Sequence, residues 1–181
     1  RSYTITNFDK IDLGVPVDVI LRQAETFSVR AVSKYQGALD LIELNVKNKT
    51  LVFSKAKDER LNGFPEIVYY VTLPRLEEVR LRGSGDIDLR DRFIADNFQI
   101  TLSGSGDVRI DQLSVNEHFS VSLVGSGNVE FKELNAQAAS FSLVGSGDVK
   151  GKNIHLTEDI ETTLRGSGVL RLGFLSCRKA E

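Results

Sequence analysis

An all-β fold, a parallel β-helix wound in coils of about 21 residues with three short strands per coil, is predicted by three observations. Gly-Ser-Gly recurs from Gly83, Gly104, Gly125, Gly145 and Gly166, at intervals of 21, 21, 20 and 21 residues. Superposing the copies on that tripeptide aligns apolar residues into fixed columns. No segment carries a 3.6-residue rhythm. A period of this length marks a unit whose apolar face is buried only by its neighbours, so the copies must stack.

The columns identify the strands. Two positions before each first glycine stand Leu81, Leu102, Leu123, Leu143 and Leu164. Two positions after each last glycine stand Ile87, Val108, Val129, Val149 and Leu170, and two further on Leu89, Ile110, Phe131, Gly151 and Leu172. This alternation is that of a strand with one buried face. It returns ahead of the next turn in Phe98-Ile100-Leu102 and Phe119-Val121-Leu123, with polar residues between. A third apolar point at Leu113, Leu134, Ile154 and Leu175 supplies the third side of the coil. Glycine at the corners is expected to provide positive φ, so Gly127→Val should destabilise the stack. The serines Ser84, Ser105, Ser126, Ser146 and Ser167 are expected to form a hydroxyl ladder from corner to corner. The one short interval is expected to lose its residue within Asn135 to Ala139.

Before the repeats, strand-like runs lie at Val15 to Leu21, Phe27 to Val32, Leu41 to Val46, Thr50 to Phe53 and Ile67 to Leu73. Lys47-Asn48-Lys49 reads as a tight turn, and Lys55 to Pro65 as a polar connection. The expectation is a single domain over 1–181, with irregular strands and a cap over 1–78 and five repeats over 79–175. The far end, with Phe174 and Leu175 and no evident cap, is expected to allow self-association, since an uncovered sheet edge pairs readily with other chains.

Composition narrows the function classes. With 41% hydrophobic and 27% charged residues the chain should fold, and a formal charge of -2 gives no basic excess to attract nucleic acid. The one cysteine, Cys177, excludes an internal disulfide and a cysteine-rich zinc site. No run approaches the length of a transmembrane helix. The start, Arg1-Ser2-Tyr3, lacks the apolar core of a signal peptide, and the missing methionine gives the expectation of a mature or truncated form whose leader has been removed.

Phe8-Asp9-Lys10-Ile11, Val17-Asp18-Val19-Ile20-Leu21, Val71-Thr72-Leu73-Pro74 and Leu76-Glu77-Glu78-Val79-Arg80-Leu81, followed by repeated Gly-Ser-Gly-Asp, occur in an order that resembles the putative auto-transporter adhesin, head GIN domain family. The resemblance covers nearly the whole chain. It implies a right-handed parallel β-helix, export to the bacterial cell envelope, either periplasm or cell surface, commonly in Bacteroidetes, and an adhesive role. It brings no catalytic residues. Val169 departs from the pattern, standing where the other copies carry Asp or Asn.

Asp86, Asp107, Asn128 and Asp148 follow successive corners and could offer stacked oxygen ligands to calcium. Local side-chain to backbone bonding at turns explains the same residues better, and the spacing is not that of the nine-residue calcium repeat. Asp86, Asp88, Asp107 and Asp111 with Arg90 and Arg109 could serve a pectinase-like enzyme, although alternating charge on a solvated face reads identically. His118 and His155 lie in different coils and read as surface residues. Tyr3, Tyr35, Tyr69 and Tyr70 could form a sugar platform, but Tyr69 and Tyr70 must face opposite sides of a strand. The resulting expectation is a non-enzymatic, adhesin-like module without catalytic, metal or cofactor residues. Its partner would be a surface glycan or protein, met on a face the sequence does not identify. The alternatives are a polysaccharide-active enzyme or a purely structural assembly module.

Overall fold

In the computed structural model, residues 1–56, 66–176 and 179–180 are described. The N-terminal strands are β1 (Ser2–Tyr3), β2 (Lys10–Leu13), β3 (Asp18–Gln23), β4 (Ser28–Ser33), β5 (Ile42–Lys47), β6 (Thr50–Lys55) and β7 (Ile67–Leu73). In the repeats, β8 (Glu78–Leu81), β10 (Phe98–Leu102), β12 (His118–Gly125), β14 (Ala138–Gly145) and β16 (Asp159–Gly166) run into the Gly-Ser-Gly corners. Out of the corners run β9 (Ile87–Ala95), β11 (Val108–Val115), β13 (Val129–Ala136), β15 (Val149–Leu156) and β17 (Leu170–Ser176), and β18 (Lys179–Ala180) follows. Equivalent strands of successive coils pair in parallel, side chain above side chain, as in Leu102↔Leu123↔Leu143.

The three apolar sides of each coil are carried by two nine-stranded sheets, ordered β1-β4-β7-β3-β9-β11-β13-β15-β17 and β18-β16-β14-β12-β10-β8-β2-β6-β5. The third apolar point lies on the same strand as the second. In β11 the buried residues are Val108, Ile110, Leu113 and Val115, and the consecutive outward pair Asp111-Gln112 breaks the alternation. The pairing with β9 shifts register at that place, and Asp91 there has a φ of 65°. A bulge bends a strand without ending its hydrogen-bond ladder, so the sheet turns a corner as one sheet.

The Gly-Ser-Gly corners are joined through backbone. The Gly104 carbonyl accepts the N–H groups of both Ser126 and Gly127, and the Gly125 carbonyl those of Ser146 and Gly147. All five serines are exposed and none contributes a hydroxyl to a ladder, so the expected serine ladder is replaced by this shared carbonyl. The reason for glycine also differs in part from expectation. Positive φ occurs at the first glycine of the later copies (Gly125, Gly145, Gly166), whereas Gly127 has none. A Cβ on Gly127 would stand 2.1 Å from the Gly106 carbonyl oxygen, so close backbone approach excludes a side chain there.

The short interval falls where expected. Asn116 and Glu117 separate β11 from β12, but Gln137 alone separates β13 from β14. The interior is a continuous apolar column in which Phe119 contacts the rings of Phe98, Phe131 and Phe141 at centroid distances of 6.3, 5.9 and 5.9 Å. Gly151 interrupts its inward column because the Phe131 ring fills the space its side chain would take.

Coil order departs from chain order at the N-terminal end. β3 lies between β7 and β9, and β2 between β6 and β8, so the chain winds one coil, adds another beyond it, then crosses back to begin the repeats. Antiparallel strands close that end, with β4 on β7, β1 on β4 and β5 on β6. Asn48 and Lys49, with φ of 50° and 60°, form the two-residue turn of the β5–β6 hairpin. At the other end, among the described residues, β16 has a neighbour on its outer edge only at Asp159 and Ile160. Leu164 is accordingly 49% exposed, whereas Leu143 below it is 2% exposed. Cys177, and residues 57–65 of the expected polar connection, lie outside the described residues.

Candidate functional site

The position after each corner forms a ladder. Asp86 donates its backbone N–H to Asp18 Oδ1 at 3.0 Å, Asp107 to Asp86 at 2.9 Å, Asn128 to Asp107 at 3.0 Å and Asp148 to Asn128 Oδ1 at 3.1 Å. Val169, which has no acidic side chain, closes the row by donating to Asp148 Oδ1 at 3.0 Å. Each of these oxygens is engaged by the next coil. The calcium candidates are thus brought together, but as acceptors for backbone. No group of three or more metal-capable side chains is found among the described residues.

The residues considered for polysaccharide cleavage also converge, and they neutralise one another. Arg109 reaches Asp86 Oδ2 and Asp107 Oδ2, both at 2.8 Å, and Asp88 Oδ1 at 3.5 Å. The hydrogen bond to Asp86 and the surrounding carboxylates push the guanidinium well above its ordinary range. Arg90 pairs with Asp88 at 2.6 Å, and Lys132 with Asp111 at 2.6 Å. At Asp111 burial acts to raise the carboxyl, but Lys132 and the N–H of Asp91 outweigh it and hold the group below the usual range. Lys150, then the N–H of Val169, do the same for Asp148. A general acid at neutral pH needs the opposite shift.

Asp88, Arg90, Arg109, Asp111, Lys132 and Lys150 line a groove of about 550 Å³ running across the coils. The bend in the strands creates it. One wall is the outward row Asp88, Arg109, Glu130, Lys150, Arg171, whose members are register neighbours on β9, β11, β13, β15 and β17. The other is the row Arg90, Asp111, Lys132, Lys152, with Gly173 last and lacking a side chain. Backbone around Leu89, Ile110, Phe131 and Gly151 forms the floor. At the N-terminal half acids and bases alternate in pairs. Farther along, Lys132, Lys150, Lys152 and Arg171 outnumber Glu130, and Lys132 is paired with the lining carboxylate of Asp111.

The other candidates are dispersed. His118 is exposed on β12, with Nε2 2.9 Å from Ser140 Oγ, and His155 is exposed on β15 in the other sheet. Tyr69 is fully buried with Tyr3 packed near it, whereas Tyr35 and Tyr70 are exposed, so the four tyrosines do not share one face. Burial, then Tyr3, push the Tyr69 phenol upward. Sequence reading passed over Lys132, Lys150, Lys152 and Arg171. The alignment that revealed the inward columns would have shown them, had its outward positions been read as rows.

The model for the putative auto-transporter adhesin, head GIN domain matches residues 7–174. The chain is similar in structure to a putative adhesin from Bacteroides fragilis, at 21% identity and a TM-score of 0.70, covering 100% of this chain and 95% of that one. It is also similar to a putative lipid binding protein from Parabacteroides distasonis, at 19% identity and a TM-score of 0.75, covering 99% and 75%. A putative adhesin from Parabacteroides merdae, at 17% identity and a TM-score of 0.66, covers 100% and 90%. At these identities the likeness is one of fold. No curated protein matches the chain. No helix among the described residues is long and apolar enough to cross a membrane. With a β-solenoid whose corners, inward columns and ordered N-terminal strands coincide with the family match over most of its length, this chain belongs to the putative auto-transporter adhesin, head GIN domain family.

Proposed function

We propose that the chain is a non-enzymatic, adhesin-like module exported to the bacterial cell envelope, where the grooved sheet face binds a surface glycan. The observation that carries this reading is the groove itself, whose walls repeat one side chain per coil, over five successive coils in one wall and four in the other. Coils lie about 4.7–4.9 Å apart, so the face offers a repeating partner charged side chains at a constant spacing. The acids that a cleaving enzyme would use are committed to Arg90, Arg109 and Lys132, which favours holding over hydrolysis. The test is a glycan array of neutral and acidic surface polysaccharides probed with the purified chain. Retention of a glycan without loss of its length is the expected result. Shortening of the bound polymer would replace the adhesin with an enzyme.

A second reading, assembly between copies, is favoured by the uncovered edge of β16 and the exposed Leu164 and Val169 at the same end. Sedimentation over a hundredfold range of concentration reads it directly. A concentration-dependent dimer abolished by Leu164→Glu supports assembly, and a monomer at all concentrations removes it.

A further inference from the structure

Resting on the glycan-binding reading, we infer that the far half of the groove is an anion-selective subsite that takes a carboxylated polysaccharide, with a uronic-acid chain laid across β13, β15 and β17. Three features converge there. Lys132 and Lys152 stand in one wall, and Lys150 and Arg171 are register neighbours in the other. This places cations on both sides of the floor at β15, flanked by Lys132 across from Glu130 on β13 and by Arg171 across from Gly173 on β17. Their charge is incompletely neutralised. Lys132 is held by Asp111 and Lys150 by Asp148 at 3.0 Å, but Lys152 has no ion pair among the described residues. Arg171 adds only a longer-range pull on Asp148, which Lys150 already holds.

The near half of the same groove supplies the contrast. Arg90 and Arg109 are there matched by Asp86, Asp88 and Asp107, so a carboxylated ligand gains little. Selectivity for charge therefore belongs to one end. The lining also speaks against a bilayer as the source of the anion. None of the exposed large apolar residues described, such as Ile94, Val124 or Val144, lies in the groove, so nothing beside the cations would enter the acyl region. A linear polymer with one carboxylate per sugar instead meets successive cations as it crosses the coils, and such complementarity selects the partner by charge.

Titration calorimetry tests the inference with three probes: a galacturonic-acid oligomer of about ten sugars, the same oligomer fully methyl-esterified, and a neutral dextran. The acidic oligomer should bind, weaken as salt is raised, and exceed both uncharged probes by at least tenfold. Lys152→Glu combined with Arg171→Glu should lower that affinity at least tenfold with an unchanged melting temperature, and Lys152→Gln with Arg171→Gln should weaken it less. Lys34→Glu, on an exposed side chain remote from the groove lining, should leave it unchanged. Equal binding of acidic and esterified oligomers, or indifference to both double variants, overturns the subsite. Tighter binding to phosphatidylglycerol vesicles than to the oligomer overturns it in favour of lipid. A neutral glycan held while the acidic one is refused overturns the subsite and leaves the adhesin reading standing. Refusal of every glycan on the array removes both.

Discussion

At the corners a single atom decides which residue is allowed. The second glycine of each copy sits with its Cα against the carbonyl oxygen of the coil below, and at Gly127 an added Cβ would come within 2.1 Å of that oxygen. Gly127→Ala should therefore cost about 1–3 kcal/mol in urea denaturation, as overpacking typically does, although the φ at this residue would suit alanine. Ser126→Ala, one residue earlier, should stay within ~0.5 kcal/mol, because its hydroxyl is exposed and unbonded. The reading of these corners from sequence found the correct residues and an incomplete cause. Gly-Ser-Gly looks alike whether glycine is needed for φ or for space, and the carbonyl it must approach belongs to a residue about 21 positions away. The acidic ladder carries a pH signature. Asp111 and Asp148 are held below the ordinary carboxylate range, so their contribution is present above the unfolded value, about 3.9, and is lost as pH falls through the lower folded values. Melting temperature should fall with pH below about 4, and Asp111→Asn should flatten that fall.

The coil tolerates changes of length at the corner between the sheets and at the bend within a strand, where β9 carries one residue more than β11. Gln137 does alone what Asn116 and Glu117 do together, which means that the corner between the two sheets accepts one residue or two. Inserting one glycine after Gln137 should restore a two-residue corner and shift stability by less than about 1 kcal/mol. The same insertion after Val129, in a stretch paired without a register shift, would move Phe131 from the interior to solvent and should lower the melting temperature sharply. This element was readable in advance because inward columns are local and periodic. The union of two sides into one sheet was not. Leu113 announces a third apolar point, but whether the backbone between Ile110 and Leu113 breaks or merely bends depends on the ladder with the coils above and below.

Over the whole molecule the stack is asymmetric. One end carries antiparallel strands, with β5 along the whole of β6, and the other exposes Leu164 beside an edge paired, among the described residues, at two positions. The runs at Phe27 to Val32 and Leu41 to Val46 announced strands of the cap, which the structure places at β4 and β5, but nothing local announced that β6 and β7 would stack outside β2 and β3. That order is a matter of long-range pairing. The groove was hidden for a related reason, since its cations are scattered along the chain and meet only when coils are in register. Register between coils is thus the premise beneath both fold and function. Methyl NOE spectroscopy on leucine-labelled protein reads it directly. Leu102–Leu123 and Leu123–Leu143 cross-peaks with none between Leu102 and Leu143 are predicted from parallel, in-register coils. Absence of both neighbouring cross-peaks, or a direct Leu102–Leu143 contact, would contradict the stack.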